Sequence, residues 1–408
     1  MHSINTGILF RMVNPIKSVH QSSRIRSKSK LPSGRRGIQK ILISGIILFP
    51  GILLGCNIAP KPPPATVSAI DVSFAWEYKA GDYIRSVPVI HNGALYVGSD
   101  DNGLHAVDPE SGEYKWMYPT GDNVSSTPEF WEDQMVFGSW DGNLYALDIK
   151  TGEDTWVFET GGWVSASPLL DENIIYIGSQ DGVLYALDVH NGAELWRFNT
   201  GGRIESSAVV QGDLVYVGST DGYLYALDKS NAELVWSYDS GGEIKSSPIV
   251  DGESLYFGST DRQLYALDAL NGQLLWSYEV GQSIEGSPAI NEGILFAGAN
   301  DGWLYAIQSG TGELVWEVPF ESMIRSNPVT WDNMVFVGDD SGGLTALDTQ
   351  TGEVGWRYQT GGAITAGPYI HDGMLYAGSL DRRLHAFKLK RVESAAETQS
   401  TPKIGDNQ

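Results

Sequence analysis

A 40-residue repeat constrains the fold of this chain more than any other feature. One glycine and one tryptophan recur at that spacing through eight copies without a shift of register. The glycines are Gly98, Gly138, Gly178, Gly218, Gly258, Gly298, Gly338 and Gly378, and the tryptophans are Trp76, Trp116, Trp156, Trp196, Trp236, Trp276, Trp316 and Trp356. A fixed period near 40 predicts one radial or stacked repeat architecture of about 320 residues instead of several unrelated domains.

Each copy reads as four short antiparallel strands. Residues 255–259 and 263–268 are aromatic and β-branched runs separated by a polar turn. Four of the eight copies carry Asp-Gly at this turn, as at Asp141-Gly142, which favours a primed hairpin turn with positive φ angles. A second turn leads into the Trp-bearing strand, and a Ser-x-Pro run opens the next copy. Four strands per repeat predict the blade of a β-propeller, whereas helical arrays of similar period need an apolar 3.6-residue spacing that is missing here.

The two ends of the repeat complement each other. Residues 74–79 supply a Trp strand without the rest of a unit, and residues 366–388 supply three strands without a Trp strand. We therefore predict an all-β, eight-bladed β-propeller in which the first strand pairs into the last blade and leaves no open edge. The expected boundaries are 1–56 for a signal peptide with a lipobox, 57–72 for a Pro-rich tether, 73–390 for the propeller and 391–408 for a disordered polar tail.

The single cysteine, Cys56, excludes an intramolecular disulfide. It follows a basic region and an apolar run, residues 41–54, that is too short to span a bilayer comfortably. The run Leu53-Leu54-Gly55-Cys56 resembles the lipobox of bacterial lipoproteins, which implies that Cys56 is diacylated and becomes the new N-terminus. The alternative is a buried free thiol in an uncleaved anchor.

Charge is distributed unevenly along the chain. The first 56 residues hold nine Lys and Arg and no acid, so the remainder carries 18 basic and 50 acidic residues, a net charge of −32. Such a charge repels nucleic acid and anionic lipid, and neither is expected as a partner. The histidines after Cys56 are too dispersed for a three-ligand metal site, and no Ser-His-Asp arrangement follows from their spacing.

The run Ala-Leu-Asp-x-x-Thr-Gly-Glu-x-x-Trp, at residues 146–156 and 346–356, resembles the tryptophan-docking motif of quinoprotein-type (PQQ-like) eight-bladed propellers. The resemblance covers residues 74–388 and implies a packing role for the eight tryptophans. The family includes dehydrogenases that bind pyrroloquinoline quinone and calcium, and non-catalytic BamB-like lipoproteins of outer-membrane protein assembly. The dehydrogenases carry an adjacent cysteine pair beside the quinone, which this sequence lacks. We therefore expect no enzyme activity, no cofactor, no metal and no catalytic residue. Glu205, Glu285, Asp340 and Asn300 are the residues that a calcium site would draw on.

Positions that break the repeat are candidates for partner binding. Trp140 and Trp163 are expected close together on one face, where they either dock a partner or simply cover each other. The position before Ser-x-Pro alternates in sign over part of the ring, and its charged members are Arg85, Glu205, Lys245, Glu285 and Arg325. These form either a ring of ion pairs that neutralise one another or a ligand cradle. Other departures are Ala208 for Pro, and Gln308 and Ser341 for Asp.

These features predict a lipid-anchored, non-enzymatic scaffold of the bacterial cell envelope that presents one propeller face to envelope proteins. A role in outer-membrane protein assembly is the most specific function that the resemblance implies. We expect a monomer within a complex, exported and anchored by lipid alone, on the outer face of the cytoplasmic membrane or on the outer membrane facing the periplasm. The alternative is a PQQ-dependent dehydrogenase or a quinone- or sugar-binding periplasmic protein.

We predict that Cys56 is the acylated N-terminus of the mature protein, because the lipobox-like run lies between an apolar run and a Pro-rich segment. Mass spectrometry of the membrane-bound protein should find no peptide upstream of Cys56. Recovery of an intact Gly55-Cys56 peptide from most of the population would contradict lipidation.

Overall fold

Between residues 70 and 392 the regular structure consists of β-strands. The structure, a computed structural model, describes residues 70–392, so Cys56 and most of the expected tether and tail lie outside the described residues. Within this range no helix has the length and apolar character needed to cross a membrane. The strands are β1 (Ile70–Lys79), β2 (Val89–His91), β3 (Ala94–Ser99), β4 (Gly103–Val107), β5 (Tyr114–Pro119), β6 (Glu129–Trp131), β7 (Gln134–Gly138), β8 (Asn143–Asp148), β9 (Asp154–Glu159), β10 (Leu169–Asp171), β11 (Ile174–Gly178), β12 (Val183–Asp188), β13 (Glu194–Asn199), β14 (Val209–Gln211), β15 (Leu214–Gly218), β16 (Tyr223–Asp228), β17 (Leu234–Asp239), β18 (Ile249–Asp251), β19 (Ser254–Gly258), β20 (Gln263–Asp268), β21 (Leu274–Glu279), β22 (Ala289–Asn291), β23 (Ile294–Gly298), β24 (Trp303–Gln308), β25 (Leu314–Pro319), β26 (Val329–Trp331), β27 (Met334–Gly338), β28 (Gly343–Asp348), β29 (Val354–Gln359), β30 (Tyr369–His371), β31 (Met374–Gly378) and β32 (Arg383–Arg391).

The strands form eight four-stranded antiparallel sheets, which confirms the predicted eight-bladed propeller. Blade 1 is β2–β5, and each following group of four strands forms the next blade through blade 7, which is β26–β29. Blade 8 has the order β1-β32-β31-β30, so the first strand of the chain closes the ring as predicted. The pairing runs from Ile70 opposite Arg391 to Lys79 opposite Arg383. The closing strand therefore starts at Ile70, inside the segment that was expected to be tether.

A glycine on the second strand of each blade lets the next blade approach closely. A Cβ atom on Gly138 would lie 2.3 Å from Val164 Cγ1 and 2.8 Å from the Val164 carbonyl oxygen, both well inside van der Waals contact. The same contact joins Gly98 to Val124, Gly178 to Ile204, Gly218 to Ile244, Gly258 to Ile284, Gly298 to Ile324, Gly338 to Ile364 and Gly378 to Ile84. Gly378 belongs to blade 8 and Ile84 precedes blade 1, so the eighth contact closes the ring.

The repeated tryptophans pack blade against blade. Trp156 is 8% exposed, and its Nε1 donates to the Val189 carbonyl of the next blade at 2.9 Å. A Cβ on Gly192 would meet this indole at 2.6 Å, so the ring lies directly on the Thr-Gly-type turn of that blade. Trp76, Trp196, Trp236, Trp276 and Trp316 donate in the same way to a carbonyl 33 residues further along the chain.

The hairpin between the second and third strands of a blade differs from the predicted primed turn. In blade 2 the Gly142 N–H donates to the Ser139 carbonyl at 3.2 Å, and Gly142 alone of the Asp-Gly pair has positive φ, at 91°. Asp141 instead accepts from the Asn143 N–H, from the Tyr145 hydroxyl and, through Oδ2, from the Gly121 N–H. The aspartate is therefore needed for its acceptor oxygens, and the glycine alone for its backbone conformation.

We predict that deleting residues 57–69 leaves the melting temperature of the propeller unchanged, whereas deleting residues 57–79 lowers it and reduces solubility. The longer deletion removes β1, exposes the edge of β32 and strips away the buried Trp76. Thermal melts and light scattering of the two truncated proteins would measure this. Equal behaviour of the two would contradict closure by β1.

Candidate protein-binding face

Trp140 and Trp163 form a parallel stack, with ring centroids 4.7 Å apart and planes 6° apart. Trp140 lies in the hairpin between β7 and β8, and Trp163 lies in the loop between β9 and β10. The Trp140 Nε1 donates to the Ser125 hydroxyl at 2.8 Å, which fixes the orientation of its indole. Trp163 remains 47% exposed. The two rings thus cover each other on one side, while about half of Trp163 stays open to solvent.

The five charged residues that precede the Ser-x-Pro runs come together at the mouth of the central channel. A cavity of about 280 Å³ is lined by Arg85, Ser165, Glu205, Lys245, Glu285, Arg325 and Thr365. Ser125, which holds Trp140, occupies the same position in blade 2. The tryptophan stack therefore borders the charged mouth, and the two sets of candidates share one face.

In five of the eight blades the residue at the mouth pairs outward with the hairpin of its own blade, and not around the ring. Arg85 contacts Asp100, Arg325 contacts Asp340, and Glu285 accepts from Asn300, in each case a hairpin residue 15 positions further along. Ser125 with Trp140 and Ser165 with Gln180 follow the same rule. Among residues 70–392, no ion pair joins two of the five charged mouth residues. The ring of mutually neutralising charges, one of the two alternatives, is therefore wrong. Arg85, Glu285 and Arg325 bind hairpin residues, whereas Glu205 and Lys245 pair with Arg203 and Glu243 in the loops that enter their blades.

The two Arg–Asp pairs at the mouth differ in quality. Asp340 receives Arg325 Nε on Oδ1 at 3.1 Å and Nη2 on Oδ2 at 2.7 Å. Asp100 accepts a single hydrogen bond from Arg85, from Nε to Oδ2 at 2.7 Å. Its Oδ1 is buried without a hydrogen bond from the described residues. Burial raises the pKa of Asp100 above its ordinary value, although the hydrogen bond and charge of Arg85 oppose the shift. The negative charge of ionised Asp100 is therefore only partly balanced by Arg85.

The residues at the mouth do not fit a quinone–calcium site. Calcium needs six or more converging oxygens, yet Asp340 is bound by Arg325 and Asn300 presents its amide nitrogen to Glu285. The carboxylate of Glu205 lies 3.6 Å from Arg203. Across residues 70–392, no group of three or more His, Cys, Asp and Glu side chains is arranged to hold a metal ion.

Comparison with protein families assigns the chain to a family. The family model described as outer membrane protein assembly factor BamB matches residues 65–199 and 300–395, more than half of the chain. The chain belongs to this family. A second model, described as the beta-propeller of beta-alanine-activating enzyme, matches residues 171–338 of this BamB-family propeller. No curated protein sequence matches the chain significantly.

Solved structures share the fold of this BamB-family chain. BamB from Moraxella catarrhalis is 23% identical, with a TM-score of 0.69, over 78% of this chain and 100% of that one. The computationally designed Ika8 protein is 18% identical, with a TM-score of 0.69, over 78% of this chain and 99% of that one. A quinohemoprotein alcohol dehydrogenase from Pseudomonas putida HK5 is 17% identical, with a TM-score of 0.67, over 82% of this chain and 78% of that one. Similarity at this level of identity shows the propeller fold alone.

A second exposed surface of the BamB-family propeller was missed from the sequence. The outer strands β17, β21 and β25 of blades 4 to 6 each begin with two neighbouring apolar residues, and all six are 39–52% exposed. They are Leu234, Val235, Leu274, Leu275, Leu314 and Val315. We call this surface the apolar belt, and exposed apolar patches of this kind mark interaction sites. The sequence contains a signal for this surface, because the two positions before the repeated Trp are both large and aliphatic only in these three copies.

We predict that Asp100→Asn raises the melting temperature at pH 7, and that the gain disappears as the pH falls below about 4, near the ordinary pKa of an aspartate. A carboxyl whose pKa is raised on folding binds its proton more tightly in the folded state, so stability is lost as the pH rises from the unfolded to the folded pKa. Asparagine removes this loss and retains an oxygen for Arg85. The measurement is a series of thermal melts from pH 3 to pH 8.

Asp340→Asn is the matched control for this substitution. Both Asp340 oxygens are engaged by Arg325, so asparagine gives up one contact and should lower the melting temperature at pH 7. A fall for both variants would contradict the role assigned to the unpaired Asp100 Oδ1.

Proposed function

We propose that this chain is a lipid-anchored, non-enzymatic scaffold of the bacterial cell envelope that binds protein partners during outer-membrane protein assembly. The observation that carries the proposal is the match to the BamB family model, which spans both ends of the propeller. A non-enzymatic role agrees with the channel mouth, where Arg85, Glu285 and Arg325 are already bound to the hairpins of their own blades. The lipid anchor rests on Cys56, which precedes the described residues.

The partner docks on the face that carries the tryptophan stack and the channel mouth. Tryptophan is enriched at interface hot spots, and Trp163 offers a rigid, half-exposed ring at little cost in conformational entropy. The neighbouring Arg85, Glu205, Lys245, Glu285 and Arg325 form a polar rim with both signs of charge, which favours specificity and orientation. An apolar anchor beside a charged rim is the usual anatomy of a protein interface.

The fold itself does not require these tryptophans. At the position of Trp140 the other copies carry Asp100, Gln180, Thr220, Thr260, Asn300, Asp340 and Leu380. Each of these smaller residues supports the same hairpin, and the backbone N–H of Thr220 donates to the Arg203 carbonyl as that of Trp140 does to Asn123. Replacement of the stack by residues from other blades should therefore spare the propeller.

We predict that Trp140→Thr with Trp163→Ser abolishes co-purification of the envelope partner from crosslinked membranes of the host cell, at an unchanged melting temperature. Truncating hot-spot tryptophans typically costs about 2 kcal/mol or more of binding energy, roughly a thirtyfold loss of affinity. The control is Tyr223→Gln, which removes another exposed aromatic from a hairpin, in blade 4, and should leave the partner bound.

A third variant, Leu274→Thr with Leu275→Thr, tests the apolar belt. Loss of the partner with this variant and retention with the tryptophan variant would move docking from the propeller face to the belt. A large fall in melting temperature of the tryptophan variant would show that the stack serves packing. A quinone absorbance band that survives dialysis, or substrate-dependent dye reduction, would overturn the scaffold in favour of the dehydrogenase.

A further inference from the structure

Seven of the eight blades share a side-chain network that blade 7 lacks. In blade 2 the Tyr145 hydroxyl donates to Asp141 Oδ2 at 2.7 Å, and the same oxygen accepts from the Gly121 N–H. Equivalent tyrosine–aspartate pairs occur in blades 3 to 6, and a histidine–aspartate pair takes their place in blades 1 and 8. In blade 7 the two positions are Ser341 and Thr345, so both the ring and the carboxylate are missing.

The aspartate of blade 7 has moved by two positions. Asp339 stands where six other copies have serine and blade 6 has Ala299, so Asp and Ser have exchanged places within the hairpin. Asp339 Oδ1 accepts from the backbone N–H groups of Ser341 and Gly343, which preserves the turn. Asp339 is only 4% exposed, and its Oδ2 accepts no hydrogen bond from the described residues.

A cavity of about 210 Å³ opens where the tyrosine is missing, and Asp339 forms part of its wall. Gly343 keeps it open, because a Cβ at this position would lie 2.5 Å from Asp339 Oδ2. Phe320 and Glu321 contribute from the loop before blade 7, while Arg357 and Gln359 contribute from β29. Glu321 replaces a glycine that all seven other copies carry at this position.

Charges of both signs line this cavity without neutralising each other. Glu321, Asp339 and Arg357 take part in no ion pair among residues 70–392, and the Arg357 guanidinium lies over the Phe320 ring at 5.9 Å. Asp339 Oδ2 accepts no hydrogen bond from the described residues, so a ligand that supplies a donor there gains a charge-assisted hydrogen bond. Arg357 at the rim offers a planar fork suited to a carboxylate.

We propose that the blade-7 cavity binds a small zwitterion of the free α-amino acid class. The ammonium group of the ligand donates to Asp339 Oδ2 and to Glu321, and its carboxylate accepts from Arg357. Thr345, Ser341 and Phe320 line the remainder of the cavity. This site lies in a different blade from the tryptophan stack and is independent of the protein-binding role.

The test is titration calorimetry of the full mature protein with each of the twenty free amino acids, and with glucose and galactose as neutral comparisons. At least one amino acid should give a saturable heat. The triple variant Asp339→Ser, Ser341→Asp, Thr345→Tyr restores the repeat, fills the cavity and should abolish that heat. Arg357→Met keeps the cavity but removes the cation, and should weaken binding at least tenfold without a change in melting temperature.

Asp221→Asn, in the equivalent network of blade 4, is the matched control and should leave the titration unchanged. The proposal is overturned if no amino acid binds, if only the sugars bind, or if binding persists in the triple variant. Equal binding to Arg357→Met and the parent protein would also overturn it, because the carboxylate of the ligand would then have no partner.

Discussion

The close contact between a bare glycine on one blade and an aliphatic residue of the next holds the structure together. Val164 and its seven equivalents are fully buried, and each can press against its neighbour only because the facing residue lacks a Cβ. A single blade cannot bury both of its faces, so each blade depends on the next, as in other repeat proteins. Closure of the ring, where Gly378 contacts Ile84, covers the exposed faces of the first and the last blade.

This constraint determines where the chain is free to vary. The glycine, the aliphatic residue and the tryptophan must stay in every copy, while the hairpin tips and the mouth of the channel carry little of the packing. Trp140 and the Arg–Asp pairs all lie at such positions. Binding residues are commonly presented on loops by a rigid scaffold, and here eight equivalent loops surround one channel. A change in one copy can therefore create a site without disturbing the other seven.

The fold and its closure could be predicted because they depend on residues repeated at a constant spacing, such as Trp76 in a strand without the rest of its unit. The proximity of Trp140 and Trp163 followed from the order of loops around a blade. Pairing at the mouth could not be predicted, because Arg85 has acidic residues available in several directions and only the side-chain geometry selects Asp100. The exchange of Asp339 and Ser341 is readable in the sequence, but the cavity depends on side-chain packing.

The network is altered in blade 1, which packs against the strand that closes blade 8. His105 replaces tyrosine in blade 1, and its Nε2 contacts Asp101 at 2.9 Å while its Nδ1 lies 2.8 Å from the Tyr78 hydroxyl on β1. Burial first, and then the charge of Asp101, raise the pKa of Tyr78 to about 12, so this hydroxyl stays protonated. The ionised Asp101 carboxylate can only accept, so Nε2–H donates to it. A tyrosine at this position would offer a single phenol oxygen. The imidazole offers two nitrogens on opposite sides of its ring, one for Asp101 and one for Tyr78. The histidine thus extends the network of blade 1 to the strand that closes blade 8.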